Sequence, residues 1–371
     1  MIYADHNATA PLRPETQEAM TRALAIFGNP SSVHAAGRAA RALVEEARAS
    51  VARFVYASPA EVVLTGGGTE ANALAIEGAV RASNGITRLV ISAIEHDSVA
   101  AAAERSGLPV TVVPVTAAGV IDRSAFAAAL AQPGRALVSI MLANNETGVI
   151  QPVCAIAEQA RAAGHVVHCD AIQGAGRVEV NWEALGLDLM TIAAHKFGGP
   201  KGAGALIVGE GITLAPVLSG GGQERGRRAG TEHVPVIAGF GAAARAADPH
   251  ETLRMNALRV RLESELPAEA IVIAQDSVRL PNTICVALPG VPAETQVMTL
   301  DLEGVCVSAG AACSSGKVRP SRVLGAMGFG PEIAGSAIRI SLGWNSTEGD
   351  IRQLLASYRA MVRRLALRAA A

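Results

Sequence analysis

The sequence predicts an α/β protein with a mostly parallel sheet and a smaller second α/β unit. Short apolar segments alternate along the chain with segments of helical periodicity, a pattern typical of parallel strands covered by helices on both faces. The chain has 371 residues, half of them hydrophobic, so a large core is available. The pattern changes near residue 250, where a long charged helix is predicted to begin.

The predicted elements follow from this alternation. Six apolar segments predict strands at residues 61–65, 88–92, 136–143, 166–170, 189–193 and 204–208. Three intervening segments predict helices at residues 69–81, 98–105 and 155–163. After residue 250 the sequence predicts helices at 251–266 and 348–368, with strands at 270–274 and 282–288.

Composition excludes several classes of protein. The net charge is −1, so no nucleic-acid or membrane surface is predicted from bulk charge. The apolar runs are too short to span a bilayer, and the first residues lack the features of a signal peptide. The five cysteines are scattered without a C-x-x-C pair, which disfavours a disulfide framework or a zinc site and predicts a cytoplasmic location.

A glycine-rich turn links the first predicted strand to a helix. It reads Gly-Gly-Gly-Thr-Glu at residues 66–70, with Thr69 at the cap position. Backbone amides at such a helix N-terminus can hold an anion. The turn matches neither a Walker A motif nor a G-x-G-x-x-G motif. A phosphate cradle and a plain helix-capping turn therefore both remain open.

Two charged residues follow apolar strands. Asp170 ends the strand at residues 166–170, where open α/β sheets bind ligands, although a helix-capping role is also common. Lys196 follows the strand at residues 189–193 and is surrounded by glycines. Partial burial would lower the pKa of such a lysine and suit it to Schiff-base chemistry. Lys201 is the competing candidate, with a solvated loop lysine as its simpler interpretation.

One thiol stands in a run of small residues. Cys313 lies in Ser-Ala-Gly-Ala-Ala-Cys-Ser-Ser-Gly at residues 308–316, a setting that predicts the accessibility a nucleophile needs. A structural cysteine is the alternative. Cys306, between two valines, is predicted to be a core cysteine.

Taken in order, these motifs resemble the cysteine desulfurases of the nitrogen-fixation and housekeeping iron–sulfur type. The motifs are a Gly-rich turn, Glu-His, Asn-Asn-Glu, Asp-x-x-Gln, His-Lys, Arg-x-Gly-Thr, Gly-x-x-Cys-x-Ser and Arg-Ile-Ser. The resemblance covers almost the whole chain. It implies fold type I of the pyridoxal-phosphate (PLP) enzymes, in the class V aminotransferase family, with a seven-stranded sheet. It also implies an N-terminal arm (residues 1–12), a large cofactor-binding domain (13–250) and a small domain with the cysteine loop (251–371).

The resemblance assigns roles to residues of this chain. Lys196 matches the Schiff-base lysine, and Cys313 matches the nucleophile that takes sulfur from L-cysteine. His96 matches the histidine that stacks on the cofactor and moves protons. The remaining matches concern binding: Asp170 to the ring nitrogen, Gln173 to the phenolic oxygen, Gly68, Thr69 and His195 to the phosphate, Thr231 to the partner subunit's phosphate, and Asn145 and Arg339 to the substrate carboxylate.

The implied reaction converts L-cysteine to L-alanine and leaves the sulfur as a persulfide on Cys313. Thr231 implies a homodimer, and the persulfide implies a sulfur-acceptor protein such as an iron–sulfur scaffold. The alternatives are a selenocysteine lyase, another class V PLP enzyme such as an aminotransferase, and a non-catalytic sulfur-transfer scaffold. The joint presence of Lys196, Asp170, His96 and Cys313 disfavours the scaffold.

Two features depart from the family pattern. Ala193 stands two residues before His195, where relatives carry a serine whose hydroxyl contacts the phosphate. Losing such a charge-assisted bond is predicted to weaken cofactor binding by about 1.5–3 kcal/mol. The sequence also ends soon after its last predicted helix, which leaves the identity of the sulfur acceptor open.

Overall fold

The computed structural model describes residues 1–82, 84–310 and 321–369. In these residues the strands are β1 Ile2–Tyr3, β2 Val62–Thr65, β3 Ile86–Ser92, β4 Val110–Val113, β5 Arg135–Ser139, β6 Val166–Asp170, β7 Leu189–Ala193, β8 Gly204–Val208, β9 Ile271–Val272, β10 Thr283–Ala287, β11 Val305–Cys306, β12 Ser308–Ala309 and β13 Ala337–Ser341. The α-helices in the same ranges are α1 Pro14–Leu24, α2 Ala35–Phe54, α3 Gly68–Ala73, α4 Ala79–Arg81, α5 Asp97–Arg105, α6 Arg123–Leu130, α7 Val153–Ala162, α8 Trp182–Leu185, α9 Val234–Ala246, α10 Pro249–Ser264, α11 Ala293–Leu302, α12 Arg322–Ala326, α13 Pro331–Ser336 and α14 Glu348–Ala369. Within these bounds, no helix has both the length and the apolar character required to cross a membrane.

Among the described residues the largest sheet has seven strands, in the order β2-β8-β7-β6-β5-β3-β4. The pairings among strands β3 to β7 are all parallel, whereas β8 is antiparallel to both β2 and β7. Because β2 and β7 are both antiparallel to β8, they point in the same direction. The carboxyl ends of β2, β3, β5, β6 and β7 therefore lie at one edge of the sheet. The predicted mostly parallel α/β fold is confirmed.

Both faces of this sheet are buried, which explains its uninterrupted apolar strands. Alternate residues of a strand enter different core clusters: Val62 and Leu64 lie in one cluster and Val63 in another. Leu137, between Ala136 and Val138, shows the same alternation. Since successive side chains of a strand point to opposite faces, two apolar faces require an apolar residue at every position.

One predicted strand is too long. Strand β5 ends at Ser139. Beyond it, Ile140 and Leu142 still donate backbone hydrogen bonds to His168 and Asp170 of β6, and Ala143 forms an isolated bridge to Ile150. The residues in between are buried all the same. Apolar character marks burial rather than strand pairing, so the run alone does not show where pairing stops.

Other elements lie where the sequence analysis assigned none. Strand β4 forms an edge of the large sheet and is partly exposed, so it lacks a continuous apolar run. Helix α2, with 20 residues, and helix α9, with 13, were also not predicted. Helix α9 is apolar on nearly all sides because it is almost entirely buried, and it therefore lacks an amphipathic pattern.

A second sheet lies in the C-terminal part of the chain. Among the described residues it has four strands in the order β12-β13-β10-β9, and all of its pairings are antiparallel. The N-terminal strand β1 pairs in parallel with β11, next to this sheet. Ile2 and Ala4 pack in the same apolar cluster as Leu258 and Ile340. The chain therefore starts against its own C-terminal part and then passes along the edge of the large sheet.

Candidate active site

Five sequence-predicted site residues lie at or just after the carboxyl ends of strands of the large sheet. Gly68 follows β2, His96 follows β3, Asn145 follows β5, Asp170 ends β6 and Lys196 follows β7. Since all five strands end at the same edge, the fold brings these residues together although they are far apart in the sequence.

The glycine-rich turn depends on the lack of side chains at two positions. Gly67 has a φ of 149°, which residues with a side chain rarely adopt. A Cβ atom on Gly68 would lie 2.3 Å from Ile172 Cδ1, so a larger residue there would force the Ile172 side chain to move. The same Cβ would lie 3.4 Å from the Cβ of Ala193, which places Ala193 against the turn. The turn therefore brings the amides of a helix N-terminus close to the end of β7.

Glu70 connects the glycine-rich turn to the segment that contains Arg228. Its carboxylate accepts a hydrogen bond from the Gly66 amide at 2.8 Å and pairs with Arg228 at 2.8 Å. Thr231, three residues after Arg228, is exposed. The Thr231 side chain is therefore open to a second molecule.

Asp170 is a buried carboxylate that accepts two hydrogen bonds. Its Oδ1 accepts from the Ile172 amide at 3.0 Å, and its Oδ2 accepts from Asn72 Nδ2 at 2.8 Å. Asn72 lies on α3, directly after the glycine-rich turn. The helix that begins at the turn therefore also fixes the orientation of the Asp170 carboxylate.

Lys196 contacts the N-terminal segment of the chain. It lies in a 3-10 turn after β7, is partly buried, and donates from Nζ to the carbonyl oxygens of Asn7 at 2.6 Å and Ala8 at 3.0 Å. The neighbouring His195 lies 3.3 Å from Thr9 Oγ1. Burial, together with the nearby positive charge of Lys196, lowers the pKa of His195 to about 3. The imidazole of His195 is therefore neutral at physiological pH.

Arg177 is a buried cation that the sequence analysis missed. Its guanidinium donates to Gln173 Oε1 at 2.5 Å and to the carbonyl oxygens of His6 at 3.0 Å and Lys196 at 3.2 Å. Because Gln173 Oε1 accepts this bond, its amide nitrogen is the group that faces Asn7, whose carbonyl it reaches at 3.1 Å. Burial lowers the pKa of Arg177 to about 9. The only sequence signal was its place four residues after Gln173.

Arg339 joins the site from β13 of the smaller sheet. Its guanidinium forms an ion pair with Asp5 at 2.7 Å and donates to the Asn145 carbonyl at 3.2 Å. The same carbonyl accepts a hydrogen bond from Asn7 Nδ2 at 3.0 Å. Asp5 was not identified from the sequence as a site residue. The N-terminal segment therefore lies between Arg339 and the edge of the large sheet.

Glu146 connects the turn at Asn145 to both sides of residues 311–320. Its Oε2 accepts a hydrogen bond from the Ser321 hydroxyl at 2.6 Å, and a Cβ on Gly310 would lie 2.7 Å from the same oxygen. Burial raises the pKa of Glu146 to about 7. Cys313 lies outside the described residues. Cys306 was expected in a core but is only partly buried.

His96 caps the helix that follows β3. Its Nδ1 accepts from the Ser98 amide at 3.1 Å and lies 2.8 Å from the Ser98 hydroxyl. Glu95, the preceding residue, is fully buried, and its Oε1 accepts from the Ser92 hydroxyl at 2.6 Å and the Met141 amide at 2.8 Å. Burial raises the pKa of Glu95 to about 8.

The fold and the cluster of site residues at the carboxyl edge of its large sheet define the class of protein. Residues 2–354 match the family described as aminotransferase class V, and the chain belongs to that family. Among curated relatives, it is 43% identical to a cysteine desulfurase of Cereibacter sphaeroides, over 95% of this chain and 94% of the relative. It is 38% identical to an IscS-like cysteine desulfurase of Mycobacterium tuberculosis, over 100% and 99% of the two chains.

Solved structures also show similarity to proteins of this kind. A NifS-like protein from Rickettsia africae superposes with a TM-score of 0.90 at 35% identity, over 98% of this chain and 99% of the other. A structure described as SspA in complex with cysteine superposes with a TM-score of 0.82 at 29% identity, over 94% and 100%. The resemblance to the cysteine desulfurases predicted from the motifs is therefore confirmed.

Proposed function

We propose that this protein is a cysteine desulfurase that converts L-cysteine to L-alanine and transfers the sulfur to Cys313 as a persulfide. The observation that carries the proposal is that Lys196, Gln173 and Arg339 all contact the N-terminal segment at residues 5–8, while the buried carboxylate of Asp170 lies three residues before Gln173 at the end of β6. A lysine, a buried carboxylate and a buried guanidinium are the groups needed to hold a PLP ring and an amino-acid carboxylate.

The residues at the sheet edge fit pyridoxal 5'-phosphate. The turn at Gly67 and Gly68 leaves helix amides without side chains in front of them, which suits a phosphate. Thr69 and the neutral His195 would add donors to that phosphate. Asp170 is held as an acceptor for a protonated ring nitrogen, and Lys196 is placed to hold the cofactor covalently.

When bound, PLP supplies an electron sink that weakens the Cβ–S bond of cysteine. In the proposed mechanism Arg339 and Asn145 orient the substrate carboxylate, and Arg339 must exchange its bond to Asp5 for one to the substrate. Gln173 presents its amide nitrogen, as fixed by Arg177. His96 and the amine of Lys196 move protons at the substrate. The Cys313 thiolate takes the sulfur, and alanine is the second product.

The proposal extends to organisation and partners. The exposed Thr231 supports a homodimer in which each subunit completes the partner's phosphate site. The chain divides into an N-terminal arm (residues 1–12), a large domain (13–250) and a small domain (251–371). The described cysteines are all free, which fits a cytoplasmic location. A separate acceptor protein, such as an iron–sulfur scaffold, receives the sulfur.

Replacing the proposed nucleophile tests the function directly. We expect Cys313→Ala to retain the absorbance of bound cofactor and to lose sulfide release from cysteine, because only sulfur abstraction requires the thiol. Cys154→Ala, which removes an exposed cysteine, is the matched control and should keep full activity. Cysteine turnover at the wild-type rate in Cys313→Ala would show that the assignment is wrong.

Labelled cysteine locates the sulfur. After incubation with cysteine carrying a sulfur isotope, mass spectrometry of the digested protein should find the label on Cys313. Label on Cys306 or Cys169 instead would overturn the assignment of the nucleophile.

A further inference from the structure

A chain of buried hydrogen bonds joins Asp170 to His96. Asn72 Nδ2 donates to Asp170 Oδ2 at 2.8 Å and to Ser98 Oγ at 2.9 Å. Ser98 Oγ lies 2.8 Å from His96 Nδ1. Asn72 is fully buried, and Asp170 and Ser98 are less than a tenth exposed. Water therefore does not compete for the two bonds donated by Asn72, and their donor and acceptor roles are determined by the groups themselves.

The carboxylate fixes the orientation of the Asn72 amide. A flipped amide would place its oxygen 2.8 Å from an oxygen of Asp170, where two acceptors repel each other. In the observed orientation Asn72 Oδ1 is buried and has no hydrogen-bond partner within the described part of the chain. Leaving a buried acceptor unsatisfied is unfavourable, so the bonds made by the nitrogen decide the orientation. Asn72 therefore donates to Ser98 rather than accepting from it.

The backbone amide of Ser98 determines the proton on His96. It donates to His96 Nδ1 at 3.1 Å, so that nitrogen presents a lone pair and carries no proton. Ser98 Oγ, which accepts from Asn72, therefore donates its own proton along the 2.8 Å contact to Nδ1. With two donors aimed at Nδ1, that nitrogen acts as an acceptor. The proton of the neutral imidazole is then on Nε2.

We infer that Asn72 and Ser98 are positioning residues that hold His96 as the Nε2-protonated tautomer and couple its ring to Asp170. His96 then exchanges protons through Nε2 alone. The inference rests on the proposed function, in which His96 moves protons at the substrate. It adds two residues that need not touch substrate or cofactor and act only through His96 and Asp170.

The tautomer is measurable in the wild-type holoenzyme. Nuclear magnetic resonance of protein carrying 15N-labelled histidine distinguishes a protonated from a bare ring nitrogen, and the His96→Ala spectrum assigns the signals. We expect a bare Nδ1 and a protonated Nε2 on His96 above the pH range in which histidine titrates. A protonated Nδ1 in the wild-type protein overturns the inference.

Variants of Ser98 test the cause. In Ser98→Ala the share of the Nδ1-protonated form should rise, and kcat should fall roughly threefold to tenfold with KM unchanged, since one hydrogen bond is lost. Ser98→Thr keeps the hydroxyl and should restore the wild-type tautomer. Ser106→Ala removes a serine hydroxyl at the opposite end of the same helix and should change neither quantity. An unchanged tautomer ratio in Ser98→Ala would exclude the positioning role of Ser98.

Asn72 is expected to affect both ends of the chain of bonds. In Asn72→Ala the His96 signals and the absorption spectrum of the bound cofactor should both shift, because Asp170 loses a donor, whereas Ser98→Ala should shift only the His96 signals. A spectrum unchanged in Asn72→Ala would disprove the coupling. These readouts need no turnover. A protein that shows the expected tautomer but releases no sulfur from cysteine therefore contradicts the proposed function and not this inference.

Discussion

Two parts of the site are built in different ways. The first part, called the sheet-edge group, lies at the carboxyl ends of strands of the large sheet, and the parallel order of that sheet places its members. It consists of Gly68, His96, Asp170 and Lys196. The seam group, Asp5, Asn7, Asn145 and Arg339, meets where the N-terminal segment passes between the two sheets. Its contact between Arg339 and Asp5 joins residues 334 positions apart.

The two groups differ in their proposed roles: the sheet-edge group takes part in the reaction, and the seam group binds the substrate. The sheet-edge group carries the residues proposed to hold the cofactor and to move protons, and the large sheet fixes these residues directly. The seam group carries the residues proposed to bind the substrate carboxylate, and it depends on the docking of the N-terminal segment. Substitutions in the first group should therefore act mainly on turnover, and substitutions in the second mainly on substrate affinity and stability.

The largest effect is expected at Lys196. Lys196→Ala should lower cysteine turnover by at least about a thousandfold, because the chain loses both its covalent cofactor link and an amine that moves protons. The absorption band of the bound cofactor should shift as well. Lys201→Ala, which removes an exposed lysine five residues later, is the control and should remain within about twofold of wild type. Comparable losses in both variants would contradict the assignment.

Arg339 tests the seam group. Arg339→Gln should reduce kcat/KM about tenfold to a hundredfold, mainly through KM, because one charge-assisted interaction with the substrate carboxylate is lost. Its melting temperature should also fall, since Asp5 loses its partner. The control is Arg279→Gln, which breaks the 2.7 Å ion pair with Glu263 and should lower stability alone. A fall in kcat at constant KM would place Arg339 with the sheet-edge residues.

Each group adjoins one buried carboxyl whose titration should affect stability. Burial raises the pKa of Glu95, next to His96, to about 8, and that of Glu146, next to Asn145, to about 7, from the ordinary value of 4.5. Each therefore binds its proton more tightly in the folded chain, so stability falls as pH rises from about 4.5 to these values. The slope is at most about 1.4 kcal/mol per pH unit for each group.

Replacing either carboxyl by an amide removes its slope. Melting temperatures between pH 6 and 9 should fall less steeply in Glu95→Gln than in the wild type, and in Glu146→Gln the flattening should end about one pH unit lower. The pKa of His168, lowered by burial to about 3, adds a slope only below pH 6.5. Curves parallel to the wild type would show that the carboxyl does not titrate in this range.

The smallest effect is expected at Ala193. Ala193→Ser adds a hydroxyl next to the glycine-rich turn and should tighten cofactor binding about tenfold, corresponding to about 1.5 kcal/mol. The rate of cofactor loss on dialysis measures the change. Ala194→Ser, at the adjacent fully buried alanine, is the matched control and should bring no gain. Slower binding or faster loss in Ala193→Ser would show that the site has no room for the hydroxyl.

The sequence determined the alternation of strands and helices and the sheet-edge group. Asp170 and Lys196 stand at the ends of apolar runs, and in a parallel sheet those ends share one edge. The glycine-rich turn was recognisable because Gly67 has a positive φ that favours glycine, and because a side chain at Gly68 would displace Ile172. In each case the signal is local, since burial on both faces of the sheet forces a continuous apolar segment and the first polar residue after it lies at the edge.

Only the tertiary structure decided the contacts of the seam group and the orientation of the polar groups. Asp5 and Arg177 are polar residues without a local pattern, and their importance comes from partners far along the chain or from the backbone of the N-terminal segment. The donor role of the Asn72 amide depends on the Asp170 carboxylate, which is 98 residues from Asn72. A hydrogen bond is directional and short, so its existence depends on packing that sequence periodicity does not encode.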